Sequence, residues 1–270
     1  MKLYIYFIVI LIMVFTFSCS KKENTISSEK VNQLINKYQL LTDLLLFSIW
    51  DYCDLQIDEI AKAGFSEKEI RFALNKILSN FPQIHEVVYV NSNGILLYTE
   101  PSGYRLSEGT DISKQEHIKR LFKTNKRFFS NIFKLVEGYY ANIMGAPIIK
   151  DGKCIGSICP IFKTDDLIKS IIKDIEKEGI DEFFIIESTG TLVYDTDSVQ
   201  IGRNILTDTL YANYEQLYML TNIIIKENSG EQDYYFTDKD KNKRIKKRVW
   251  WQTSDYYGNE WKFCISKNLE

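Results

Sequence analysis

The feature that most constrains the fold is a repeat within the chain. Residues 87–98 read Val-Val-Tyr-Val-Asn-Ser-Asn-Gly-Ile-Leu-Leu-Tyr, and residues 183–194 read Phe-Phe-Ile-Ile-Glu-Ser-Thr-Gly-Thr-Leu-Val-Tyr, a constant offset of 96. In each, a β-rich run is broken by a turn ending in Gly94 or Gly190, where positive φ is available, and a second β run follows. Each copy predicts a hairpin. Further on, Gly109-Thr110-Asp111-Ile112 is answered by Gly202-Arg203-Asn204-Ile205 at an offset of 93, as expected when connecting loops differ slightly in length. One module is therefore present twice.

After each hairpin the pattern predicts a helix and then three strands. In the first module Ser113 and Glu116 have capping-box spacing, for a helix running to about Thr124. Strands are expected near residues 128–135, 139–149 and 153–162, with Asp151-Gly152 as the last hairpin turn. In the second module Leu210, Tyr214, Leu217, Thr221 and Ile224 form one helical stripe, followed by strands near 232–237, 244–253 and 260–266.

Helices frame the modules. From Glu29 to Ala63, Val31, Leu34, Tyr38, Leu41, Leu45, Ile49 and Tyr52 recur at spacings of three and four. Such a helix is ~50 Å long, enough to pass both modules. Ser66 and Glu69 are a second capping box, for a helix ending near Pro82, and residues 164–178 predict a third that stops at Gly179 and bridges the modules.

The chain opens with Lys2, an apolar run from Leu3 to Phe17, and then Ser18, Cys19 and Ser20, which is the pattern of a signal peptide. The run holds 15 residues, short of the 18 or so expected of a spanning helix, and Lys21, Lys22, Glu23 and Asn24 follow at once. Cys19 after a small residue resembles the lipobox of bacterial lipoproteins, although Thr16 stands where that family usually has Leu. The resemblance implies lipidation of Cys19, and at about 0.8 kcal/mol per buried CH₂ such an anchor holds without a spanning helix. The alternative is a secreted protein with an unmodified Cys19.

The organisation expected is thus a leader over 1–18, a tether over 19–28, helices over 29–82, a first module over 83–163, a linker helix over 164–179 and a second module over 180–270. The full chain carries 34 basic and 36 acidic side chains, and the leader removes one basic residue, Lys2. A balance so near neutral implies no nucleic-acid partner. Export permits disulfides, but Cys154 and Cys159 lie on one expected strand about 16 Å apart, too far to bridge, and buried thiols are the expected state of these two, Cys53 and Cys264.

A long N-terminal helix followed by two PAS-like modules, with Gly109-Thr110-Asp111-Ile112-Ser113 and the Pro147 to Gly156 stretch, resembles the double Cache sensor domains of bacterial receptors. The resemblance covers the chain from about Glu29 onward. It implies an α+β fold with antiparallel sheets, extracytoplasmic placement and a small organic ligand, usually in the membrane-distal first module. Many such domains that bind amino acids carry an Arg and then aromatic residues on the helix after the Gly-x-Asp motif, and an Asp near the end of the last strand. The matching positions here are Gln115, His117 and Ile118, and then Ile161. A guanidinium for a carboxylate and a carboxylate for an α-amine are both missing, so amino-acid binding is not implied. Familiar receptors of this kind continue into a signalling domain, whereas this chain stops at Glu270; a separate transmembrane partner is expected.

Within the first module the candidate ligand-binding residues are Lys114, Gln115, His117, Tyr139, Tyr140 and Asn142, on the helix opened at Ser113 and the facing strand. Tyr139 and Tyr140 also read as ordinary strand residues. Trp250, Trp251, Tyr256, Tyr257 and Trp261 form a second aromatic concentration; alternation puts one tryptophan in the core and leaves the other a candidate for contact, with core packing the favoured reading. The segment 239–248 holds seven basic residues against one acid; it reads as a solvated hairpin edge, or as a surface for anionic headgroups if the second module adjoins a bilayer. No enzyme, cofactor or metal is expected, with two histidines, His85 and His117, no nucleophile elbow and no phosphate-binding Gly loop. Asp165 and Asp166 read as first-turn charges at a helix N-terminus. The function class left is a small-molecule sensor; the alternative is a surface interaction protein with the same fold and no pocket.

Overall fold

The computed structural model describes residues 26–135, 138–173, 175–238 and 243–269. Cys19 and the leader lie outside them. Helix α1, Ser28–Ala63, is capped by the Ser27 side chain, which accepts from the Lys30 N–H at 3.2 Å, and it ends at Gly64 with φ 92°. Its buried stripe, including Val31, Ile35, Tyr38, Ile49, Trp50 and Cys53, lies along both modules. Near its start Ser28 and Asn32 accept from Trp250 and Gln252 of the second module, and Asp54 near its end pairs with Arg127 of the first. Helix α2, Glu67–Asn80, is capped by Ser66 as its spacing predicts.

The first sheet holds β1 (Ile84–Asn91), β2 (Leu96–Glu100), β3 (Phe128–Phe129), β4 (Phe133–Lys134), β5 (Tyr140–Lys150) and β6 (Lys153–Lys163), in the order β2-β1-β6-β5-β3 with β4 also paired to β5. The second holds β7 (Glu182–Glu187), β8 (Leu192–Asp195), β9 (Ser229–Asp238), β10 (Lys243–Tyr256) and β11 (Asn259–Asn268), in the order β8-β7-β11-β10-β9. All pairings are antiparallel. The shared order, edge hairpin beside the last strand, is the architecture the repeat predicts.

The Gly-x-Asp motif has a visible task. The Ile112 N–H donates to the Gly94 carbonyl at 2.9 Å and the Ile205 N–H to that of Gly190 at 3.0 Å, so each motif straps its own hairpin turn. Asp111 then accepts from the Ser113 N–H, and Asn204 from that of Leu206, both at 2.9 Å. Because Asp111 takes that N–H, Ser113 does not open a capping box; helix α3 runs Glu116–Thr124, with Gln115 at its N-cap and no side-chain cap.

Helix α4, Thr164–Ile171, is shorter than its apolar pattern suggests, a 3₁₀ turn over Ile175–Glu178 completing the link. Asp165 and Asp166 do stand in its first turn, the latter 2.8 Å from His85. Helix α5 spans Glu215–Ile224, with Leu210 in a separate 3₁₀ turn, Thr209–Tyr211. Trp250 and Trp251 face opposite ways, yet both are buried, because Trp250 packs into the cluster under α1 and Trp251 into the cluster that includes Leu220 and Ile224 of α5. Tyr256 and Trp261 are buried too, so the aromatic segment is core except for Tyr257, which is 40% exposed. Cys53, Cys154, Cys159 and Cys264 are free thiols, and burial pushes the Cys159 thiol up to about 12.

Of the basic run, 239–242 lie outside the described residues. Lys246 and Arg248 share Asp233, Lys247 is buried against Glu182, and Arg244 stacks on Tyr235 at 4.0 Å. Among the described residues no helix is long and apolar enough to cross a membrane.

Candidate functional site

Between α3 and the first sheet lies a cavity of about 740 Å³. Alternation builds its floor: Val88 and Val90 of β1, Ile143 of β5, and Cys159 and Ile161 of β6 share the face that α3 covers with Ile118. Leu96, Ile112, Phe133 and Leu135 extend the apolar wall. Glu86, which is buried, and Lys134 of β4 also line it, Gln115 and His117 stand at the start of α3, and Tyr104, Leu106 and Ser107 line it from the 3₁₀ turn Ser102–Ser107. Leu106 is fully exposed there.

His117 packs against Phe128 and Phe133, with ring centroids 5.0 Å and 6.0 Å away. Burial pushes its pKa down to about 4, so the imidazole is neutral at ordinary pH and offers one donor and one acceptor instead of a charge. A mostly apolar chamber with a few polar groups in its lining favours a small, largely apolar guest oriented by a hydrogen bond or two.

Of the residues proposed from sequence, Gln115 and His117 line this cavity. Lys114 is exposed and outside its lining. Tyr139, Tyr140 and Asn142 are also outside it, for separate reasons. The Tyr139 ring lies 5.9 Å from His85. Tyr140 crosses to the second module, where its ring fills the space a Cβ on Gly202 would need. Asn142 donates to the Ser130 carbonyl at 2.8 Å and accepts from Thr164 Oγ1 at 2.6 Å, in full burial. Of the lining residues that the sequence does not single out, those on the central strands, Val88, Val90 and Ile143 among them, carry period-two alternation as their one sequence signal. Gln115, His117, Ile118 and Ile161, the positions where the chain departs from the amino-acid-binding pattern, all line the cavity.

The cavity connects to the second module through buried polar atoms. Ile143 of its floor donates its backbone N–H to Ser130 Oγ at 2.9 Å, and the Ser130 carbonyl accepts from Asn259 Nδ2 at 2.7 Å. Asn259 also donates to Glu187, as does the Ile132 N–H. Burial pushes the Glu187 carboxyl up to about 7 against the pull of these donors.

Residues 54–164, which include the cavity, match the family model described as HK/GC/Chemotaxis protein-like, sensor domain. A search of curated proteins gave no match. Among solved structures, the extracellular ligand-binding receptor from Desulfohalobium retbaense aligns over 90% of this chain with a TM-score of 0.74 and 20% identity. This chain spans 41% of that receptor's length. The ligand-binding domain of the Pseudomonas aeruginosa amino-acid chemoreceptor PctB, in complex with L-Arg, aligns over 88% of this chain and 92% of its own with a TM-score of 0.61 and 11% identity. The ligand-binding domain of the Pseudomonas fluorescens chemoreceptor CtaA, in complex with L-isoleucine, covers 89% and 93% with a TM-score of 0.62 and 11% identity. The chain has the double Cache fold, and the matches named above are sensor and ligand-binding domains.

Proposed function

We propose that this double Cache chain is an extracytoplasmic sensory lipoprotein, tethered through Cys19, that binds a small, mostly apolar organic molecule in its first module and passes occupancy to a separate membrane protein. The observation that carries the reading is the 740 Å³ chamber under α3, walled by Val88, Ile118, Cys159 and Ile161 and edged by Gln115 and neutral His117. At Ile118 and Ile161 a zwitterionic amino acid lacks the charged partners that amino-acid-binding relatives of this fold place there, and the charged side chains that do line the chamber, Glu86 and Lys134, stand at other positions. The hydrogen bonds from Ile143 through Ser130 to Asn259 support transfer of occupancy, because a guest that shifts the cavity floor also shifts a contact to the second module.

A thermal-shift screen of the chain from Cys19 onward against small metabolites tests the reading. A ligand at a hundred times its Kd stabilises by about 2.7 kcal/mol, well within reach of the method. Apolar neutral compounds should raise the melting temperature while free amino acids do not. Silence across a broad panel, or hits confined to amino acids, would overturn it.

A second reading, a surface interaction protein, draws support from α1 instead of the aromatics. Leu40, Leu44 and Phe47 are 58%, 56% and 60% exposed on one side of that helix, a stripe suited to a partner helix. The two readings are compatible if that stripe is where the membrane partner docks.

A further inference from the structure

The repeat has a consequence for the second module. Glu86, Val88 and Leu96, which line the first cavity, stand 96 positions before Glu182, Phe184 and Leu192, and Ile112 stands 93 before Ile205. These four counterparts line a second cavity of about 300 Å³ between the second sheet and the segment leading into α5. The duplicated scaffold has therefore kept a chamber in the same place twice, with different chemistry on its walls.

In the second chamber the apolar side comes from Phe184, Leu192, Ile205 and Leu217, and tyrosines replace much of the aliphatic wall. Three carboxylates and one ammonium also face it: Glu182, Asp195, Asp197 and Lys247. Lys247 pairs with Glu182 and also acts on Asp195 through space, where its pull is weaker than the effect of burial. Asp197 is engaged by its own turn, accepting from the Val199 N–H at 3.2 Å and from Gln200 Nε2 at 3.0 Å. Asp195 is left with a single hydrogen-bond donor among the described residues, the Asp197 N–H at 2.8 Å, and is held in a place dry enough that burial pushes its pKa up to about 7. The Tyr211 hydroxyl, which faces the same carboxyl, donates to Gln200 Oε1 rather than to it. A partly buried carboxyl with unused acceptor capacity, beside rings whose faces attract cations, is suited to an ammonium group.

We propose that the second-module cavity is a separate binding site for a small organic ammonium ion, its charged head against Asp195 and its carbon skeleton among Phe184, Leu192 and Tyr211. The site stands apart from the first chamber in both position and chemistry, and the proposal does not depend on what the first chamber binds. Binding of the cation favours the ionised form of Asp195, so affinity rises with pH. The other facing groups do not mimic this: Glu182 and Lys247 pair with each other, Asp197 is hydrogen-bonded in its turn, and burial raises the Tyr211 and Tyr234 hydroxyls so that they stay protonated.

The test is calorimetric titration of the chain from Cys19 onward with phenethylammonium, with 2-phenylethanol as the neutral counterpart and 3-phenylpropanoate as the anionic one. The cation should bind at least about tenfold tighter than either, more tightly at pH 8 than at pH 5.5, and Asp195→Asn should remove that preference. Should Asp195→Asn fail to fold, Leu217→Trp, which fills the chamber from its half-exposed helical wall, should abolish cation binding with Asp195 intact. Alcohol binding as tight as the cation's that Leu217→Trp abolishes along with it, or cation binding that survives both substitutions, would overturn the proposal; alcohol binding that Leu217→Trp leaves intact belongs to the first chamber.

Discussion

Glu187 of the second module accepts a hydrogen bond from the backbone N–H of Ile132 in the first at 2.7 Å, and both residues are buried. The module junction is therefore a polar contact out of water, with an ionisable group at its centre.

Stability should fall as pH rises across that contact. Burial raises Glu187 to about 7, above its ordinary value of 4.5, so between these values the folded chain binds more protons than the unfolded one. The stabilisation from the protonated carboxyl is complete below about pH 4.5 and lost as pH passes through about 7, a change on the order of 3 kcal/mol. Asp195, raised to about 7 by burial, acts in the same direction. Denaturant unfolding of Glu187→Gln should show a shallower loss of stability between pH 5.5 and 8 than the unsubstituted chain; an unchanged slope would mean the junction carboxyl is solvated.

The hairpin strap should be sensitive at Gly94. Its φ is 76°, and a Cβ there would sit 2.6 Å from the Ser113 backbone, so Gly94→Ala strains the turn and displaces the Gly109 to Ser113 motif. A loss of about 2 kcal/mol or more is expected from equilibrium unfolding. Gly138→Ala, where φ is also positive but nothing lies within 4 Å of the new Cβ, should cost less.

Tethering makes a simple prediction. Cys19→Ser should move the protein from the membrane fraction to the soluble extracytoplasmic fraction without changing its melting temperature, because one processed residue is the proposed anchor and the fold begins at α1. Retention of the serine variant in the membrane would exclude the lipid anchor.

The exposed stripe of α1 should matter to a partner but not to folding. Leu44 is 56% exposed, and surface substitutions usually change stability by no more than about 0.5 kcal/mol. Leu44→Glu should leave unfolding unchanged and abolish crosslinking from α1 to a membrane protein in cells. A crosslinked product of undiminished yield would place the docking surface elsewhere.

Much of this was legible in the residues, and the exceptions have physical causes. Periodicity located α1 because its stripe recurs over many turns, and the hairpins because Gly94 and Gly190 sit at matching turns. Ser113 misled because Asp111, two residues earlier, takes the N–H on which the capping box would start. Trp250 and Trp251 are core residues as their favoured reading had it, but alternation tells only which faces they occupy, not that α1 covers one face and α5 the other. The chamber was half legible for the same reason. Gln115 and His117 follow from the start of α3, whereas Val88, Cys159 and Ile161 are indistinguishable in sequence from core residues until the gap beneath α3 is seen.

The most direct test of the account is titration of the best apolar hit from the metabolite screen into the unsubstituted chain and into Ile161→Asp. A carboxylate on the cavity floor, with no partner for it among the lining side chains of β1 and β6, should weaken a neutral apolar ligand by at least about tenfold while the far-UV spectrum and second-module ammonium binding persist. Equal affinity in the two proteins would place the ligand outside the first-module chamber and contradict the central claim.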